Sequence, residues 1–234
     1  MRTEGVVVNK AVYIAIGIDI NGIKDVLGLY IGENESSKFW LQVLNELKNR
    51  GTQDILICSV DGLKGFSEAI SAVYPSTIVQ RCIVHQIRNS TRYVSYKDIK
   101  EFTKDLKAVY QASTLKQAEL ALDKAESKWQ NRYPSSMKSW RNNWTELSSY
   151  FAFPAPIRRM IYTTNSIENF NRQLRKVTKT KSSYPSDDAL LKSLYLAILD
   201  ITKKWTDKSM HWNDIINQLM ITFEGRIDNS DILV

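Results

Sequence analysis

Two carboxylates stand in settings suited to metal-assisted phosphoryl chemistry. Asp61 closes the apolar run Asp54-Ile-Leu-Ile-Cys-Ser-Val-Asp61 and is followed by Gly62. Glu168 lies near the start of Thr164-Asn-Ser-Ile-Glu-Asn-Phe-Asn-Arg-Gln-Leu-Arg-Lys176, and no further acid appears until Asp187. A carboxylate at the C-terminal end of a buried strand is held rigidly where a sheet opens to solvent, a common place for ligand sites. Both residues also have plainer readings. Asp61 suits the N-cap of a helix starting near Leu63, and Asn165-Ser-Ile-Glu168 fits a capping box. The helical wheel gives Glu168 a second role. Ile167, Phe170, Leu174 and Val177 fall within an arc of roughly 80°, while Glu168, Arg172, Arg175, Lys176 and Lys179 cluster on the opposite side. A lone acid within a basic stripe suits a metal ligand beside a phosphate backbone, with the cations neutralising flanking phosphates. Arg158 and Arg159 are weaker candidates for the same contact. Two carboxylates hold a pair of divalent ions poorly, so a third acid is called for.

Cys82-Ile-Val-His85 has a spacing seen in zinc sites. A closed structural site takes four Cys or His ligands, and the chain offers only Cys58, Cys82, His85 and His211, with no second short-spaced pair. The two residues read instead as strand-end side chains that pack or hydrogen-bond near the site. No phosphate-cradling glycine loop, dinucleotide fingerprint or nucleophile elbow is present.

The elements that must position these residues follow from periodicity and turn signals. Residues 6–18 read as a strand, Asn21-Gly22 as a turn, and 25–32 as the hairpin partner. Ser36 or Ser37 caps a helix running to about Arg50, with Phe39, Val43 and Leu47 stepping by four and Gly51 as the stop. Residues 54–61 predict a strand buried on both faces. A short helix follows over about 63–73, then a strand over 77–84. From His85 to about Arg159 only helical patterns occur: Lys97–Ala112, a capping box at Thr114-Leu-Lys-Gln117, and Ser135–Tyr150 with Trp140 and Trp144. The tryptophans are expected in the core of this block. Asp187–Lys204 is the last clear amphipathic helix. The expected architecture is α/β: a mixed sheet with flanking helices over 1–85, an all-helical insertion over 86–160, and further helices over 161–234.

Composition sets the outer bounds. The 234 residues carry 32 Lys and Arg against 25 acids, a formal charge of +7. That excess favours a polyanionic partner, although it is spread along the chain. No apolar run is long enough to span a bilayer, and Met1-Arg-Thr-Glu-Gly lacks a signal-peptide core, so no membrane role and a cytoplasmic, nucleoid-associated location are expected. Two cysteines do not make a disulfide scaffold.

Several segments together resemble the Mutator-type transposases of bacterial insertion sequences. They are Asp61-Gly-Leu-Lys-Gly-Phe66, Arg81-Cys-Ile-Val-His-Gln-Ile-Arg-Asn89 and Thr163-Thr-Asn-Ser-Ile-Glu-Asn-Phe-Asn171, with Asn9-Lys-Ala-Val-Tyr13, Val26-Leu-Gly28, Ile31-Gly-Glu-Asn-Glu35, Lys203-Lys-Trp205 and Gly225-Arg226 in order around them. The resemblance implies a ribonuclease-H-like catalytic domain interrupted by a helical insertion. It also implies a triad of acids binding Mg²⁺ or Mn²⁺, and DNA (element ends and target) as the partner of a protein that is a homodimer when intact. It makes Asp61 the second acid, Glu168 the third, and Cys82 and His85 the Cys-x-x-His signature beside the site. The first acid belongs on a first strand ahead of Arg2, so the resemblance implies that this strand is largely missing and the chain N-terminally truncated and inactive alone. Asp19, at the hairpin tip, is a poor substitute. Two rivals follow: a non-catalytic DNA-binding remnant, and a stand-alone ribonuclease-H-like nuclease or resolvase.

Overall fold

The β-branched stretch after residue 5 does not run as one strand. The computed structural model describes residues 2–3, 6–7, 10–32, 36–63, 65–162, 165–181 and 183–227, with the backbone alone at 2, 3, 6, 7, 162, 165 and 166. Within it Arg2–Thr3 (β1) pairs antiparallel with Val6–Val7 (β2), and a separate strand, Ala11–Ile18 (β3), pairs antiparallel with Lys24–Gly32 (β4). The chain continues through helix Ser37–Asn49 (α1), strand Ile57–Val60 (β5), helix Phe66–Val73 (α2) and strand Ile78–Arg81 (β6). Helices follow at Ile83–Thr91 (α3), Tyr96–Tyr110 (α4), Leu115–Trp129 (α5), Pro134–Asn142 (α6), Trp144–Ser148 (α7) and Ala155–Tyr162 (α8). The last are Asn165–Thr178 (α9), Asp187–Thr202 (α10) and Trp212–Thr222 (α11). The fold is thus largely helical with small two-stranded sheets. None of its described helices is long and apolar enough to cross a membrane.

The chain forms two compact units, one of residues 1–54, 64–73 and 163–234, the other of 55–63 and 74–162. In the first, the β3–β4 hairpin has apolar side chains on both faces. Tyr13 meets Phe39 and Trp40 of α1, with ring centres 5.3 and 4.8 Å away. On the other face Val12, Ile14, Ile16, Val26, Leu29 and Ile31 pack against Phe170 and Leu174 of α9 and Leu190, Leu194 and Ile198 of α10. Val26 and Leu29 share a face because the register slips between Ala15 and Ile16, leaving Leu27 without an opposite partner. Such a bulge reverses the alternation beyond it. At the tip, Asp19 Oδ1 accepts the Asn21 and Ile23 amides at 3.0 and 2.8 Å, and Gly22 sits at φ +83° under Trp212. Asp19 is therefore a turn residue. Ser36 caps α1 through the Phe39 amide, and Arg226 grips Asp54 through two nitrogens at 2.9 and 2.7 Å.

In the second unit β5 and β6 run parallel, and helices make up the rest. Ser59 is exposed, so β5 is not buried on both faces as its apolar run suggested. Strand β6 ends at Arg81. Ile83 and Val84, β-branched and expected to extend it, open α3 instead, because buried Gln86 and Ser90 tie that helix to Ser139, Ser136 and Trp140 of α6. The expected helix over 135–150 breaks at Asn143, whose side-chain amide turns back to the Ser139 carbonyl at 2.8 Å. Trp129 and Trp140 are buried core, as expected, whereas Trp144 is only half-buried. Thr114 caps α5 through the Gln117 amide, while Gln117 accepts from Ser113 rather than closing the box.

Helices α4 and α5 are locked by polar contacts. Asp98, only 7% exposed, accepts from Tyr133 Oη at 2.5 Å, Ser95 Oγ at 3.0 Å and Arg132 at 3.0–3.1 Å. The tyrosine hydroxyl, then the serine and the guanidinium, hold its carboxyl below the usual value of 3.8. A depressed carboxyl stabilises the fold above its unfolded value, and that contribution is lost as pH falls through the folded one. Asp98→Asn is accordingly expected to lower the urea midpoint at about pH 6, with the deficit shrinking as pH falls below the usual carboxylate range. Urea titrations at a series of pH values check this.

Candidate functional site

Parallel pairing of β5 with β6 builds the site. Val60 lies opposite Arg81, and the Cys82 amide donates to the Val60 carbonyl at 2.8 Å, so the next residues, Asp61 and Cys82, emerge side by side. Cys82 is the N-cap position of α3. His85, one helical turn on, comes back over it. Its Nδ1 lies 2.9 Å from Asp61 Oδ1 and 3.2 Å from Cys82 Sγ. On the far side of the ring, Arg88 approaches Nε2 at 3.5 Å. The ring thus sets Nδ1 against the acceptor oxygen of Asp61 and Nε2 towards the guanidinium. The imidazole thereby orients the carboxylate, whose side chain remains 51% exposed.

The turn after Asp61 is equally constrained. Gly62 adopts φ +77°, and a Cβ there would fall 2.2 Å from an Arg81 guanidinium nitrogen. Arg81 is held in turn by Glu146 of α7, Nε to Oε2 3.0 Å. Behind it Gln80, 2% exposed, donates to the Leu147 carbonyl at 3.1 Å and accepts from the Tyr150 amide at 2.8 Å and Ser149 Oγ at 2.7 Å. Sequence reasoning missed Gln80, Gly62 and Arg81 as positioning residues. Only the presence of Gly62 and Arg81 in the quoted motifs hinted at them.

Asp61, Cys82 and His85 each offer a ligand atom within 4.8 Å of the others. A hard divalent cation such as Mg²⁺ takes oxygen, so the Asp61 carboxylate fits it and the Cys82 thiol does not. Cys58 is no alternative donor, because burial pushes its thiol up to about 12.

Glu168 belongs to the other unit, in the first turn of α9 and half-buried. Phe170 and Leu174 anchor this helix, whereas Ile167 and Val177, expected in the same stripe, are 37% and 38% exposed. Arg172, Arg175, Lys176 and Lys179 are all exposed, and Arg172 reaches Asn169 at 3.1 Å. Arg158 is committed elsewhere, bonding the carbonyls of Phe153, Phe151 and Ser113. The expected motif residues Thr163 and Thr164 lie outside the described residues.

Residues 1–208 match the family model described as "Transposase, Mutator family". The chain belongs to that family. It is 46% identical over 230 residues to a transposase for insertion sequence element ISRM3 of Rhizobium meliloti (strain 1021), spanning 98% of this chain and 58% of that protein. A probable transposase for an ISRM3-like element of Sinorhizobium fredii matches to the same extent. One from Corynebacterium diphtheriae is 42% identical over 240 residues, spanning 94% of this chain and 70% of that protein.

Gly62→Ala is expected to destabilise the protein by about 1–3 kcal/mol, since the backbone angle and the Arg81 contact both oppose a side chain. Urea denaturation measures the loss.

Proposed function

We propose that the chain is the catalytic part of an insertion-sequence transposase that cuts DNA at element ends and joins them to a target with divalent metal. The observation that carries this reading is the Asp61 carboxylate at the end of β5, exposed on one side and hydrogen-bonded to His85 on the other. In this reading the fold is of the ribonuclease-H-like class. Residues 1–85 form the first part of the core, 86–160 the insertion and 161–234 the closing helices.

Asp61 and Glu168 would each supply one of the three acid ligands of the cation, Mg²⁺ or Mn²⁺, which would supply an activated oxygen nucleophile and stabilise the leaving oxygen. His85 keeps one Asp61 oxygen occupied and so aims the other, as outer partners of metal ligands commonly do. Cys82 packs beneath, too soft a donor for this ion. Arg172, Arg175, Lys176 and Lys179 track the DNA backbone, neutralising phosphates that would otherwise repel Glu168. A homodimer suits a reaction that handles two element ends. A non-catalytic DNA-binding remnant shares the basic face but has no use for the Asp61–His85 geometry.

Mn²⁺ binding to the chain separates these readings without requiring turnover. Asp61→Asn and Glu168→Gln should each weaken Mn²⁺ binding about 10-fold or more by isothermal titration, and an unchanged affinity in both would leave the remnant. Replacing Arg172, Arg175 and Lys179 together by Ala should make the salt dependence of DNA binding shallower by about 2–3 in log–log slope. Fluorescence anisotropy across a salt series measures it, and an unaltered slope would make the face an ordinary solvated surface.

A further inference from the structure

Helix α4 sorts its charges by face. Its three acids, Asp98, Glu101 and Asp105, are all paired: Asp98 with Arg132, Glu101 with Lys128 at 2.7 Å, and Asp105 with Lys128 at 2.7 Å and Trp129 Nε1 at 2.8 Å. Four lysines remain, Lys97, Lys100, Lys104 and Lys107, every one exposed. At 100° per residue they lie within an arc of about 80°. Among the described residues none of the four ammonium groups has an ion-pair partner. Lysines three or four residues apart repel one another along a helix, so a face meant only for solvent gains nothing from this arrangement.

The row ends in aromatic surface. Tyr96 is 94% exposed and Tyr93 74%, with the Arg92 guanidinium 5.4 Å from the Tyr93 ring centre. A row of cations ending in exposed aromatic rings suits a nucleic acid, which offers phosphates beside sugars and bases. The dimensions agree. From Lys97 to Lys107 the helix rises about 15 Å. One strand of B-DNA carries about four phosphates over that length, one per roughly 3.4 Å.

We propose that this outward face of α4 is a second docking surface for the DNA phosphate backbone, separate from the basic face of α9. It rests on the reading above that DNA is the substrate, and it assigns part of the contact to the helical block. Changing Lys97, Lys100, Lys104 and Lys107 together to Gln tests it on the full chain. Glutamine keeps helix propensity, and circular dichroism confirms the fold. Binding to a duplex of arbitrary sequence, read by fluorescence anisotropy, should weaken at least 10-fold at low salt. The log–log salt slope should become shallower by about 3–4. An unchanged affinity and slope in this variant, with loss in the α9 variant, would overturn the α4 surface and leave the transposase reading standing. Absence of DNA binding by the unaltered chain would overturn both. Binding of the unaltered chain to phosphatidylserine vesicles but not to duplex, abolished in the glutamine variant, would make the face a membrane contact and overturn the proposal.

Discussion

The parallel register of β5 and β6 is the constraint on which the candidate site depends. One backbone hydrogen bond, from the Cys82 amide to the Val60 carbonyl, fixes where both strands stop. Asp61 and Cys82 follow as neighbours, and the first turn of α3 delivers His85 onto both. A slip of one residue would turn β6 over and send Gln80, now buried, to the opposite face. Gln80 opposes that slip. An amide buried with both its oxygen and nitrogen satisfied leaves unpaired groups in any other register, and each such group is expensive.

The first unit solves a different problem. A two-stranded hairpin is marginal by itself, and this one is covered on one face by α1 and on the other by α9 and α10. The bulge at Leu27 lets β4 keep apolar residues on the same face at both ends. Phe170 and Leu174 spend the inner side of α9 on that core, which commits its outer side to solvent. Glu168 and the basic residues that follow are thereby presented in an order the core dictates. The carboxylate comes first, near the helix N-terminus, and the cations extend along the later turns.

Charge is segregated between partners rather than along the chain. The acids of α4 are drawn to Lys128, Arg132 and Trp129 of the α5 region, and Glu146 of α7 is drawn to Arg81. Internal pairing of its acids leaves the cations outermost on α4. A net charge of +7 spread evenly would attract any polyanion weakly. Gathered into rows, the same charge matches a regularly spaced one.

Local chemistry made much of this legible in the sequence. Ser36 as a cap, Asn21-Gly22 as a turn, Trp129 and Trp140 as core, and the basic stripe of α9 all depend on residues a few positions apart. Asp61, Cys82 and His85 were visible as residue types, and the helical block was visible as a change of periodicity. What sequence reasoning placed wrongly depended on distant partners. Ile83 and Val84 have strand propensity, yet α3 packs on α6 through Gln86 and Ser90, and tertiary contacts override a propensity difference of a few tenths of a kcal/mol. Ile167 and Val177 fit the apolar stripe of α9 but fall beyond the reach of the hairpin core. The contact of His85 with Asp61 spans two strands and a helix turn, so only their pairing could decide it.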